Sequence, residues 1–131
     1  MNVIEIKSCD SQTVLTLSPH SRNPDEVLVL AKISAAPFSG EVLASTYVNG
    51  PPTTLFDDMA TSWTGWSGSK DWHAIDGDLS FGATITSLGN VTLVVEMSAN
   101  SGDDTLKATL KLEAGSLDRI AHDVCSIFRS A

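Results

Sequence analysis

Apolar and polar side chains alternate most regularly in the second half of the chain. Leu79, Phe81, Ala83 and Ile85 are separated by Ser80, Gly82 and Thr84. After the turn-forming Leu88-Gly89-Asn90, Val91, Leu93, Val95 and Met97 are separated by Thr92, Val94 and Glu96. A polar stretch over 99–104 leads to Leu106, Ala108, Leu110 and Leu112, spaced by Lys107, Thr109 and Lys111. A period of two is that of half-buried strands, so these three segments predict an antiparallel meander with one wet face.

The first third is also strand-like. Val3, Ile4 and Ile6 form one short segment and residues 14–17 another. The apolar run 27–33 is rich in β-branched residues and follows the turn-like Ser21-Arg22-Asn23-Pro24-Asp25. The breaker set 36–40 then separates it from a segment over 42–48, which predicts a hairpin with a five-residue loop. A further short strand is expected over 72–75.

Two segments change period. Leu55, Phe56, Met59, Ala60 and Trp63 fall within an arc of about 140° at helical spacing, opposite Asp57, Asp58, Thr61, Ser62 and Thr64. This predicts a helix over 55–63, with Thr54 and Asp57 at the spacing of a capping box. Leu117, Ile120, Ala121, Val124, Ile127 and Phe128 occupy an arc of about 120° on a final helix. Ser116 is its expected N-cap, Asp118 lies in its first turn, and Arg129 in the last turn suits the helix dipole.

The order is four strands, a helix, four strands, a helix, with halves that repeat in layout but not in residues. The expected fold class is α+β: a mainly antiparallel sheet of about eight strands, curved or split in two, with both helices on its apolar face. At 131 residues the chain is read as one domain spanning 1–131. That length supports a core without a metal or disulfide staple.

Composition narrows the function classes. Sixteen acids against eight bases give a net charge of −8. Such a field opposes phosphate backbones and disfavours nucleic acid. It would steer a basic protein partner, although solubility alone also accounts for it. Cys9 and Cys125 have no metal-type or redox-type spacing, and Cys125 is expected as a mostly packed, reduced thiol. The N-terminus lacks the pattern of a signal peptide, and no apolar stretch approaches the length of a membrane span. A cytoplasmic protein, monomeric or weakly homodimeric, with no cofactor and no metal, is the expectation.

Residues 63–72 hold all three tryptophans, in the order Trp63-Thr64-Gly65-Trp66-Ser67-Gly68-Ser69-Lys70-Asp71-Trp72. Helical spacing puts Trp63 in the core. Gly65 and Gly68 permit sharp turns, which leaves Trp66 the least constrained ring. Trp72 is expected to stack on a cross-strand neighbour, with Gly82 leaving room for it. The functional alternative is an aromatic platform of Trp66 and Trp72 with Asp71, which would suit a sugar ring or a peptide.

Other polar groups point to no chemistry. Asp76-Gly77-Asp78 lacks the further ligands of a calcium loop and reads as a tight turn. His20, His73 and His122 have no partner at metal spacing. Asp57-Asp58 and Asp103-Asp104 are a solvated helix face and a loop. Lys107 and Lys111 form a small stripe on an outer strand face. No nucleophile elbow and no glycine-rich phosphate loop is present.

The run W-x-G-W-x-G-x-basic-x-W, followed by Leu79-Ser80-Phe81, Val91-Thr92-Leu93 and the strand and helix over 110–128, resembles a family of uncharacterised bacterial domains. The resemblance extends from about Leu55 to the C-terminus. That family is similar in layout to small immunity proteins encoded beside contact-dependent toxins, and it offers no catalytic residue to carry over. Acidity, the missing catalytic motifs and this resemblance together point to a non-enzymatic domain that engages a protein, in its specific form an immunity- or antitoxin-like factor, with Asp57, Asp58 and Trp66 toward a basic partner. A carbohydrate-like ligand on Trp66, Trp72 and Asp71 is the second expectation.

Overall fold

In the computed structural model, which describes residues 3–129, eight antiparallel strands form two separate four-stranded sheets. The first is a meander of β1 (Ile4–Lys7), β2 (Val14–Asn23), β3 (Glu26–Ala35) and β4 (Phe38–Ser45). Helix α1 (Thr53–Thr61) follows it. The second sheet is the meander β5 (Lys70–His73), β6 (Leu79–Ile85), β7 (Asn90–Ala99) and β8 (Asp104–Glu113), closed by α2 (Leu117–Phe128). Of the two expected arrangements, curved or split, the sheet is split.

Alternation decides which face of each strand is buried. Leu79, Phe81 and Ala83 face inward, as do Val91, Leu93, Val95 and Met97, with Ala108, Leu110 and Leu112 beside them. The first sheet contributes Ile4, Ile6, Leu15, Leu17, Val29, Ala31 and Ile33. These residues join Leu55, Phe56 and Met59 of α1 and Leu117, Ile120, Val124 and Ile127 of α2 in one hydrophobic cluster. The helices touch each other, and Phe56 meets Phe81 edge to face with ring centroids 5.8 Å apart. Arg22 near the end of β2 donates to the Ile127 and Phe128 carbonyls, tying the first sheet to the end of α2.

Several boundaries differ from those the sequence predicts. Strand β2 runs on through Ser21 and Arg22, and the turn is compressed into Pro24-Asp25, where Asn23 Oδ1 accepts the Asp25 and Glu26 amides. Pro19, which has no N–H, sits where the β2–β3 register shifts. The β3–β4 loop has two residues rather than five, because Ala35 already pairs with Phe38 around a cis Ala36–Pro37 bond. Strand β4 stops at Ser45, and Val48 takes a left-handed φ of 66° in the turn that follows. Strand β5 begins at Lys70, and Ala74 and Ile75 belong to the next turn.

Both predicted helix caps are corrected. Helix α1 begins two residues early behind Pro52, so Thr54 and Asp57 lie inside it and make no capping box. Ser116 belongs to a 3-10 turn, and its Oγ donates back to the Glu113 carbonyl instead of accepting an orphan amide. Arg129 lies just past α2, with Nη2 3.6 Å from Cys125 Sγ. Among the described residues no helix is long and apolar enough to cross a membrane.

Candidate functional site

The link from α1 to β5 carries the tryptophans. Helix α1 ends at Thr61, with the Ser62 amide on the Asp58 carbonyl. The Gly65 amide then returns to the Ser62 carbonyl, and Gly65 and Gly68 take φ values of 139° and 70°. Side chains rarely tolerate that region, so both glycines are where the chain must reverse.

Trp63 overturns its core assignment. The helix stops two residues before it, its ring leaves the apolar arc, and 58% of it is exposed. It lines a groove of about 450 Å³ with Leu88, which lies between β6 and β7 and is 87% exposed. Ala114, Gly115 and Glu113 complete one side. Sequence reasoning placed Leu88 only in a turn. The weak helix formers Ser62, Thr64 and Gly65 were the signal that the helix ends before Trp63.

Trp66 is half-buried and held from two sides. Its Nε1–H donates to the Ala83 carbonyl at 3.2 Å, and Lys70 Nζ lies 5.4 Å from its ring centroid. Lys70 also meets Asp58 at 2.9 Å. Asp71 accepts from Ser69 Oγ at 2.6 Å. Asp58, Lys70, Ser69 and Asp71 line one shallow groove of about 400 Å³, so three expected site residues, Trp66, Asp58 and Asp71, gather at this corner.

The other two expected site residues lie elsewhere. Trp72 is 7% exposed, stacked on its cross-strand partner Phe81 at 5.4 Å, and donates to the Gly50 carbonyl at 3.1 Å. The predicted cross-strand stack is therefore present, and the ring has no free face for a ligand platform. Gly82 makes room for Asp71 rather than for Trp72, since an added Cβ would sit 3.0 Å from Asp71 Oδ1. Asp57 is exposed on α1 and lines a different groove, between the helices, with Asp118, His122 and Cys125. Cys125 is only half-buried there.

Asp78 closes a tight turn in which the Gly77 amide meets the Ala74 carbonyl, as the sequence predicts. Burial pushes its carboxyl above the usual range, a backbone hydrogen bond offsets part of this, and Asp76 adds to the rise. Among the described residues no three His, Cys, Asp or Glu side chains converge as metal ligands.

A family model described as a family of unknown function (DUF6228) matches residues 6–131. The chain belongs to that family. Neither a curated protein nor a solved structure matches it.

Proposed function

We propose that this member of DUF6228 is a non-enzymatic protein-binding module, with Trp63 and Leu88 as its apolar anchors. The observation that carries the reading is a tryptophan 58% exposed beside a leucine 87% exposed in one groove. Burying a large indole against a partner is the commonest source of concentrated binding energy, and adjacent anchors share one desolvated patch. The net charge of −8 selects a basic partner and speeds its encounter. An immunity- or antitoxin-like role in a bacterial cytoplasm is the specific form of this proposal, supported by the resemblance carried by the tryptophan run. Asp57 and Asp58, both exposed on α1, belong to the acidic surface that would guide such a partner.

The test is co-purification with the products of neighbouring genes, followed by titration of any partner against variants. Trp63→Ala and Leu88→Ser should each weaken binding by about 2 kcal/mol, roughly thirtyfold, with the fold intact. Binding that ignores both substitutions and is indifferent to salt would remove the reading.

A carbohydrate-like ligand at the Trp66 corner is the second reading, supported by the convergence of Trp66, Ser69 and Asp71. Such a ligand would have to displace Lys70 from the Trp66 ring. A thermal-shift screen with sugars separates the two readings, because a ligand selective for the folded state raises Tm.

A further inference from the structure

Strands β1 and β8 are edges of different sheets, and the chain just after β1 bonds β8 at Lys111. The Ser8 amide bonds the Thr13 carbonyl, and bonded pairs alternate in an antiparallel ladder. In the observed register Ile6 and Ile4 are therefore the bonded partners of Leu15 and Leu17. Glu5 and Lys7 then turn both N–H and C=O away from β2. The Cys9 amide, next in that outward series, bonds the Lys111 carbonyl of β8 at 2.8 Å. Ser8 Oγ accepts the Lys111 amide at 2.9 Å.

The same alternation applies on β8. The Ala114 amide bonds the Gly89 carbonyl, so Glu113 lies in an unbonded pair with Asn90 and turns its N–H outward. The two edges are thus pinned together at Lys111, and between Val3 and Lys7 they border a groove of about 610 Å³. Buried Ile4, Ile6, Leu112 and Ile120 line it, and three carboxylates, Glu5, Glu113 and Asp123, stand with Lys7 and Arg119. Among the described residues the outward amides of Glu5 and Lys7 have no hydrogen-bond partner.

We infer that this groove takes an extended segment of a partner protein, added as a strand on β1, with apolar side chains inward and basic ones outward. Outward main-chain donors and acceptors at alternate residues are what a strand satisfies and a compact ligand does not. The apolar lining selects every second side chain. The surplus of carboxylates in a chain of charge −8 selects cations at the others. This deepens the protein-binding reading and rests on it. The groove shares Glu113 with the Trp63–Leu88 groove, so one partner segment can run from one to the other.

The probe is a fluorescein-labelled pentapeptide of alternating lysine and valine, read by anisotropy. Saturable binding is expected, weakened at least tenfold by methylation of the peptide's pairing amides, and weakened when glutamate replaces its lysines. Glu5→Pro removes an outward N–H without breaking a β1–β2 bond, so it should lose the peptide while keeping its Tm. Should that variant fold poorly, amide exchange in the unaltered chain decides, since Glu5 and Lys7 should slow at least tenfold on binding. No saturable binding, equal binding of the methylated peptide, or unchanged Glu5 and Lys7 exchange overturns the proposal. A homodimer that Glu5→Pro dissolves would assign the edge to a second copy and also overturn it. A native partner lost by Trp63→Ala but retained by Glu5→Pro would preserve protein binding and defeat strand addition alone.

Discussion

Residues of the same type in one ten-residue stretch carry very different energies here. Trp72 is sealed against Phe81 with its N–H satisfied, and Trp72→Ala leaves a cavity and an unpaired Gly50 carbonyl. Its expected cost is about 3–5 kcal/mol in urea unfolding. Trp63→Ala removes an exposed ring and should change stability by no more than about 0.5 kcal/mol. Asp78 carries the pH dependence at this scale. A carboxyl whose folded pKa is raised binds its proton more tightly in the folded state, so its contribution to stability is fully present at low pH. That contribution is lost as pH rises through the folded pKa. Asp78→Asn should therefore be more stable than the parent at neutral pH, with the gap closing as both are acidified. Parallel urea titrations at pH 7 and pH 4 test the sign.

Elements were legible in the sequence wherever a period was sustained, and ends were legible only where backbone chemistry announced them. The strands β6, β7 and β8 follow from alternation because one wet face imposes it. The apolar arcs of both helices were legible for the same reason, but their caps were not. Pro52 and the 3-10 turn before α2 replace side-chain caps, and nothing in Thr54-x-x-Asp57 distinguishes a cap from a first turn. Two helical residues fewer at the C-terminus of α1 moved Trp63 from core to surface. The β1–β8 groove was hidden for a different reason: its edges lie about a hundred residues apart, and no local pattern encodes which edges of two sheets meet. At element scale the sharpest prediction contrasts two prolines in β1. Glu5→Pro keeps the ladder, whereas Ile6→Pro removes a bonded amide from a four-residue strand and should cost about 3 kcal/mol or more.

At the scale of the molecule, two sheets and two helices contribute to one cluster, while the charge is spread over the outside. Association with a basic partner should therefore slow several-fold between low and physiological salt, with dissociation much less affected, as stopped-flow mixing would show. The three indoles also make the chain its own optical gauge. Trp66 and Trp72 are tethered to carbonyls in half-buried and buried settings, whereas the Trp63 ring meets water. Caesium, a cation that the acidic surface admits, should quench the Trp63 class first and reach the others fully only once the chain unfolds. A partner seated on Leu88 should then abolish the quenchable fraction and shift emission to the blue, without a label and without a mutation.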